Sequence, residues 1–340
     1  MESNDFFFVL NGFHPSLPEA EVRSILETSG KTFKVKPSPP MILRVNGLMD
    51  SINSVERRAY YVKYSLEELL IAENNPHEIF STLRELDLSR YDMRSFRLSL
   101  RRLGGSGSLI DVKKIKGRIE RRLEELWAAE KVLVKPDLWL MGFFSGEKFI
   151  LGKLLKEVKR NISNRLPHKR PCFHPSSMHP SLAGSLVNLS RAKLNDVFLD
   201  PFCGVGSILL EAGRLGCKTL GGDVSPWMGK AAQKNLLYYG VKPSIVVSDA
   251  RNLPFRKCKS AATDPPYGKN TTTRGIKLER LVQDFFASIY DLIDDGGYLC
   301  FVSQTPSNII EGIEAGFKHV ESHFLEVHDS LEREIAVFRR

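Results

Sequence analysis

The chain has 340 residues, 42% of them hydrophobic and 26% charged, with 49 Lys and Arg against 40 Asp and Glu. At about 150 residues per domain this length predicts two domains, each able to bury its own core. The apolar content excludes a disordered chain, and no run of about 18 uncharged apolar residues is present to form a membrane-spanning helix. The first eleven residues carry Glu2 and Asp5 and no basic side chain, unlike a secretory signal. Cysteines 172, 203, 217, 258 and 300 are odd in number and show no C-x-x-C, which argues against a disulfide framework or a zinc knuckle. A soluble, reduced, cytoplasmic protein with no membrane attachment is expected.

The N-terminal half alternates strand-like and helix-like pieces. Residues 6–10, a run of three Phe followed by Val and Leu, and residues 41–45 read as strands, and 18–29 reads as a helix stopped by Gly30. Residues 51–61 and 66–72 fit helix or strand equally. Residues 95–101 alternate Phe96, Leu98 and Leu100 with Arg97, Ser99 and Arg101, a half-buried strand. The glycine-rich stretch 103–107 turns the chain before a helix at 111–130, and 131–144 and 148–151 read as further strands. Residues 1–151 thus form an α+β region. From 152 to 178 periodicity gives way to Lys, Arg, Pro and Ser, which is a linker or an extended arm.

From 179 to 340 the pattern is a regular βα alternation: helix 181–189, strand 197–199, helix 207–215, strand 219–222, helix 225–239, strands 244–247 and 260–263, helix 278–293, strand 298–303, helix 308–315, then strands 320–327 and 334–338. Such alternation specifies an α/β domain, a parallel sheet with helices on both faces. The last two strands, joined through Ser330, suggest an antiparallel hairpin at the sheet edge.

The positive charge is concentrated. Residues 97–170 hold 19 basic and 8 acidic side chains, whereas 1–96 hold 11 and 14, and 171–340 hold 19 and 18. A basic segment confined to one region suits contact with a phosphate backbone, since each neutralised phosphate releases counterions. Arg97, Arg101, Arg102, Lys113, Lys116 and Arg118 are the candidates for contacting nucleic acid. The competing reading is a solvated helix face, because Glu120, Glu124, Glu125 and Glu130 interleave with the basic residues of 113–131.

In an open parallel sheet, ligands bind beyond the carboxyl ends of the strands. Four acids stand there: Asp200, Asp223, Asp249 and Asp264. The first loop, Asp200-Pro201-Phe202-Cys203-Gly204-Val205-Gly206, lacks the third glycine of a dinucleotide loop and begins with a carboxylate that would repel a pyrophosphate. Its ligand should be neutral or cationic at that point. Asp223, 23 residues on, stands where a carboxylate takes both hydroxyls of a ribose. Asp249, followed by Ala250, can accept from an exocyclic adenine amine. Adenosine with a cationic tail is S-adenosylmethionine. A lone Asp at such a position is more simply a helix N-cap, but three at successive strand ends argue for a ligand.

The fourth strand ends in Asp264-Pro265-Pro266-Tyr267-Gly268. The prolines cannot donate backbone hydrogen bonds, so they set a rigid turn and leave the preceding carbonyls available to accept. A carboxylate and a carbonyl together can hold both hydrogens of an amine on a planar base, and Tyr267 offers a stacking face. Catalysis would then be positioning plus acceptance of developing positive charge, with no covalent intermediate.

These four motifs resemble motifs I to IV of S-adenosylmethionine-dependent amino-methyltransferases with a Rossmann-like fold. Arg170-Pro171-Cys172-Phe173-His174-Pro175-Ser176-Ser177-Met178-His179-Pro180-Ser181-Leu182-Ala183, then Leu186-Val187-Asn188-Leu189, precede motif I. Together with Asp264-Pro265-Pro266-Tyr267-Gly268 they are similar to the tRNA guanosine-10 N2-methyltransferases of archaea and eukaryotes. That family has a ferredoxin-like piece and a tRNA-binding THUMP domain before its methyltransferase domain, and Arg97-Leu98-Ser99-Leu100-Arg101-Arg102-Leu103-Gly104-Gly105 resembles the THUMP strand and turn. The resemblance implies Asp264, Pro265 and Tyr267 as catalytic residues. It implies a cofactor site lined by Asp200, Phe202, Gly204, Gly206, Asp223, Val224, Asp249 and Ala250, with 174–182 over the methionine end. The family usually has Thr where Val205 stands, so a hydroxyl contact is missing. It also implies tRNA as substrate and a small zinc-binding activator protein as partner; the cysteine and histidine spacings point to no resident metal.

Other readings remain. A DNA or rRNA base amino-methyltransferase would share these motifs, although the DNA enzymes usually need a target-recognition region and the roughly 70 residues after Tyr267 are used up by sheet elements. A protein glutamine methyltransferase typically carries Asn in place of Asp264. A non-enzymatic RNA-binding protein with a decayed methyltransferase half would not be expected to retain all five of Asp200, Asp223, Asp249, Asp264 and Tyr267. His319 and His323 lack a third ligand for a metal, and Cys203 without a partnered base is a small apolar lining residue.

Overall fold

A computed structural model describes residues 3–86, 91, 94–105, 111–127, 129–266, 278–303, 308–328 and 331–340. The chain divides into two compact units, one of Met1–Glu19, Ser29–Arg57 and Tyr61–Lys159, the other of Ala20–Thr28, Arg58–Tyr60 and Arg160–Arg340. The elements run in chain order β1 (Asn4–Leu10), α1 (Leu17–Thr28), β2 (Lys34–Lys36), β3 (Ile42–Gly47), α2 (Met49–Arg58), β4 (Val62–Glu73), α3 (Pro76–Arg84), β5 (Ser95–Arg102), α4 (Val112–Trp127), β6 (Glu130–Lys131), β7 (Leu138–Ser145) and β8 (Lys148–Glu157). There follow α5 (Pro180–Leu189), β9 (Val197–Asp200), α6 (Ser207–Leu215), β10 (Lys218–Asp223), α7 (Pro226–Tyr238), β11 (Ser244–Val247), β12 (Cys258–Thr263), α8 (Leu278–Tyr290), β13 (Ile293–Ser303), α9 (Asn308–Glu314), β14 (Lys318–His328) and β15 (Leu331–Arg339).

In the first unit the strands order β2-β3-β1-β4-β8-β7-β5-β6. Strand β1 pairs antiparallel with both β3 and β4. It is interior to the sheet and buried on both faces, which accounts for its unbroken run Phe6-Phe7-Phe8-Val9-Leu10. Strand β5 runs parallel to β7 and sends Phe96 and Leu98 into a core with Ile79, Leu83, Ile115, Ile119 and Leu123 of α3 and α4. The odd-numbered residues Arg97, Ser99 and Arg101 therefore lie on the opposite face.

The second unit has the order β11-β10-β9-β12-β13-β15-β14. Strands β9 to β13 are parallel, and β15 enters antiparallel between β13 and β14. The chain steps from β9 outward to β11, then returns to the other side of β9 with β12. The strand order reverses between β9 and β12, so a crevice opens there beyond the carboxyl ends. Ala20–Thr28 and Arg58–Tyr60 join this unit through polar contacts. The Asn188 amide donates to Glu21 (2.8 Å), the Tyr60 hydroxyl donates to Glu211 (2.6 Å), and Arg165 donates to both Glu211 oxygens (2.9 and 3.1 Å).

Several elements depart from the expected pattern. Residues 51–61 and 66–72 resolve into helix α2 and strand β4. The stretch 131–144 is two strands, since Pro136 has no N–H to donate and Lys135 adopts φ 50°. Strand β8 runs on to Glu157, so 152–157 is paired with β4 and is not a linker. In the C-terminal hairpin only β14 is at the edge, and Ser330 lies outside the described residues, as does part of the turn at 103–107. Strand β2 and helix α3 were not expected from periodicity. Helix α3 nevertheless has a start signal, Asn75-Pro76 with the Asn75 side chain accepting from the Glu78 N–H (2.9 Å).

Glu211 is fully buried and neutralised by Arg165. Glu211→Ala leaves a buried guanidinium and the Tyr60 hydroxyl without their acceptor, and should cost about 3 kcal/mol in urea unfolding. A loss under about 1 kcal/mol would mean that the pair is not held as described.

Candidate active site

Strand β9 ends at Asp200, whose side chain is 1% exposed. The Thr263 hydroxyl, at the end of the neighbouring β12, donates to its Oδ1 at 2.7 Å, and the Phe202 N–H donates to the same atom at 3.2 Å. Burial pushes the Asp200 carboxyl up to about 7, and Asp223 and Asp264 add to the rise, against the two hydrogen bonds. Asp264 follows Thr263 directly. Its side chain is 18% exposed, and Arg333 stands 3.5 Å away. Burial pushes Asp264 up to about 6, while Arg333 pulls it down. The loops thus assemble two costly carboxylates on either side of the reversal point.

Asp223, at the end of β10, accepts from the Gly204 N–H (3.0 Å) on one oxygen and the Ser225 N–H (2.8 Å) on the other. Burial raises it, against those two donors. The loop between β9 and α6 is shaped by Gly204 (φ 51°) and Gly206 (φ 87°). A side chain at Gly206 would meet Leu236 at 2.7 Å, whereas the space above Gly204 is open. Phe202 is pinned on Phe285 (ring centroids 5.3 Å apart), Val224 is exposed, and Ala250 is buried. Asp249 is half of a bidentate pair with Arg251 (2.6 to 3.1 Å), so its expected ligand contact shares the carboxylate with that guanidinium. Pro265 is buried, and Tyr267 and Gly268 lie outside the described residues. Cys203 is buried, which drives its thiol far up and keeps it protonated.

Residues 165–178 are stitched to this loop. Arg170 donates to the Ser207 hydroxyl (2.5 Å) and the Met178 carbonyl (3.1 Å). The Asn235 amide donates to the Cys172 and Val205 carbonyls (both 2.9 Å) and accepts from the Cys172 N–H (2.8 Å). His174 lies 6.1 Å, centroid to centroid, from the Trp227 ring. Thr263, Arg251, Asn235 and Arg333 were not singled out from sequence. Thr263 could have been, as the residue before the Asp-Pro-Pro turn, but Asn235 and Arg333 reach the site only through folding.

The basic candidates belong to the first unit. Arg97 stacks over Trp139 at 4.2 Å and Arg101 over Tyr64 at 5.1 Å, while Arg102 is exposed. On α4, Lys113 is exposed, Lys116 pairs with Glu120 (3.5 Å), and Arg118 stacks over Phe80 (3.9 Å). Both the charged-surface and the self-paired readings of this helix are therefore partly realised.

A parallel sheet of this order with acids at the carboxyl ends, and a crevice at the β9/β12 reversal, defines a Rossmann-like methyltransferase domain. The family model described as UPF0020, an RMKL-like methyltransferase domain, matches residues 167–334. Across 99% of both chains the protein is 32% identical to the tRNA (guanine(10)-N2)-dimethyltransferase of Methanothermobacter thermautotrophicus. It is 29% identical to the enzyme of the same name from Pyrococcus abyssi, over 96% of this chain and 97% of that one. The fold is similar to that of TrmN from Thermus thermophilus, with a TM-score of 0.54 at 21% identity over 99% of this chain and all of that chain. The chain belongs to the tRNA (guanine(10)-N2)-dimethyltransferase family.

Asp200 and Asp264 titrate above their unfolded-chain range, so between about pH 4 and 7 these two groups hold more protons in the folded protein than in the unfolded chain. Their contribution to stability falls as pH rises through that window. Asp200→Asn should therefore stabilise the ligand-free protein by about 2–4 kcal/mol at about pH 8 and by little at about pH 4, measured by urea unfolding. An equal effect at both pH values would show that the carboxylate is not strained by burial.

Proposed function

We propose that this protein transfers methyl groups from S-adenosylmethionine to the exocyclic N2 of guanosine 10 in tRNA, forming N2-methyl- and N2,N2-dimethylguanosine. One observation carries the reading: Asp264, a carboxylate raised by burial, sits at the strand-order reversal beside Asp200. When bound, S-adenosylmethionine supplies an electrophilic methyl on a cationic sulfonium. The residues present fit such a group. The buried, partly protonated Asp200 gains most from a cationic partner, the space over Gly204 is open, and each Asp223 oxygen keeps a lone pair for a ribose hydroxyl after its one backbone donor.

The guanine amine is a weak nucleophile because its lone pair is spread into the ring. Asp264 accepts its hydrogens, with the Pro265 turn fixing the carboxylate, and the lone pair is turned out of the ring plane toward the methyl group. As positive charge develops on N2, the Asp264 carboxylate stabilises it and takes the departing proton. A group near 6 is well matched to that task at neutral pH. Tyr267 would stack on the base.

The first unit binds tRNA in this reading. Arg97 on Trp139 and Arg101 on Tyr64 offer guanidinium planes beside aromatic faces on one side of the sheet. Arg102, Lys113, Lys116 and Arg118 add charge for phosphates. We place the protein in the cytoplasm, a setting that suits its five free cysteines. Among the described residues no helix is long and apolar enough to cross a membrane. The family resemblance also implies a small zinc-binding activator as partner, expected to raise the rate of the isolated chain when added.

The test is incubation with unmodified tRNA and methyl-labelled S-adenosylmethionine, followed by digestion to nucleosides. Label should appear in N2-methylguanosine and its dimethyl form, and Asp264→Ala should lower the rate at least about hundredfold while cofactor affinity is kept. Label in another nucleoside, or an active Asp264→Ala variant, would overturn the reading. Replacing Arg97 and Arg101 with Ala should weaken tRNA binding and flatten its dependence on salt by about one unit of log–log slope or more. An unchanged slope would remove them from the tRNA contact.

A further inference from the structure

Strand β15 is the element in the C-terminal sheet whose beginning, not its end, meets the carboxyl edge of the parallel strands. It runs antiparallel to β13, with Glu334 opposite Ser303. Its first residues therefore lie where β9 to β13 finish. Alternation along the strand sends Arg333 to the face opposite Glu332 and Glu334. Ile335 and Val337 on the Arg333 face, and Ala336 and Phe338 on the other, are buried, so β15 is a fixed base for that side chain. From β15 to β12 is two strand spacings, about 10 Å. The Arg333 side chain crosses the end of β13 and brings its guanidinium to 3.5 Å from the Asp264 carboxylate.

We propose that Arg333 is the positioning residue of the methyl transfer, holding Asp264 ionised until the guanine amine arrives. This rests on the reading of Asp264 given above. An ionised carboxylate holds the amine hydrogens more strongly than a neutral acid and alone can take the departing proton, and the surroundings of Asp264 work against that charge. Asp200 stands at the end of the adjacent strand β9, and Asp264 adds to the rise of Asp200. Burial penalises ionisation, while Arg333 favours it. A neutral residue at 333 would raise Asp264 and leave a larger share of it protonated at neutral pH. A long cation is required, because a short side chain on β15 cannot bridge β13. The methyl-transfer chemistry itself does not pass through Arg333, so its loss should change the pH at which the enzyme works and not the limiting rate.

The experiment is the pH dependence of kcat/KM with tRNA for the wild type, Arg333→Gln, Arg333→Met and Arg333→Lys. In the wild type, activity rises through an acid limb near pH 6. With either neutral side chain the limb should move up by about one unit, the low end of the effect of an opposite charge at this range, while the alkaline plateau stays within about threefold of wild type. Arg333→Lys should bring the limb back toward the wild-type position. Two neutral variants are used so that one folded protein suffices, with folding checked by melting and by cofactor affinity. An unmoved limb, an equal loss at every pH, or the failure of both neutral variants to fold would overturn the proposal. Asp264→Asn separates the two levels. If it stays active at pH 8, the reading of Asp264 fails and the role of Arg333 falls with it. If it is inactive while the Arg333 limb is unmoved, only the Arg333 inference fails.

Discussion

The ionisation of two carboxylates in a place that disfavours it is the constraint from which the rest of the methyltransferase unit follows. Asp200 and Asp264 stand at the ends of adjacent parallel strands, one almost sealed from solvent, and burial lifts both well above the usual carboxylate range. A fold built only for stability would replace them with neutral residues. In the proposed function their place at the strand-order reversal suits positive charge, first the cation of a methyl donor and then the charge that grows on an amine during transfer. Such strain is stored in the scaffold and released by the ligand.

The surrounding structure reads as the means of holding that strain. The Thr263 hydroxyl ties β12 to β9 through Asp200, so the two acids keep a fixed relation. Gly204 and Gly206 let the backbone turn sharply, and Gly204 hands its N–H to Asp223. Asn235 and Arg170 fasten the 165–178 segment to the same loop and to the start of α6, giving the loop a backing that its own short length cannot supply. Beneath it, Phe202 sits on a cluster with Phe285, Phe286 and Phe301, so the loop is anchored to the core. Such a backing fixes first contacts to a fraction of an ångström, as positional catalysis demands.

Much of this arrangement was legible in the sequence because it is local. The acids at 200, 223, 249 and 264 each follow a short apolar strand, and the Asp-Pro-Pro turn cannot be anything but a break. The βα alternation of the C-terminal half was readable for the same reason, since its central strands β9, β12 and β13 are mostly buried and helix α7 carries a clear cap in Ser225-Pro226. What was illegible depends on pairing at long range. Residues 66–72 could not be told from helix until β4 was seen between β1 and β8. The insertion of β15 between β13 and β14 leaves no trace in composition, so the nearness of Arg333 to Asp264 could not be read. Nor could the Arg165–Glu211–Tyr60 cluster, whose members are separated by 46 and 151 positions.

In the proposed function the basic first unit serves a polyanion and the acidic crevice serves cations. The most direct test of the central claim is calorimetry of S-adenosylmethionine binding near pH 7 in buffers of different ionisation enthalpy. A ligand cation that ionises a partly protonated Asp200 should release a fraction of a proton per site, and the release should vanish in Asp200→Asn. Binding with no proton exchange in the wild type would contradict the account, because Asp200 would then already be fully ionised and the crevice would hold no stored charge cost.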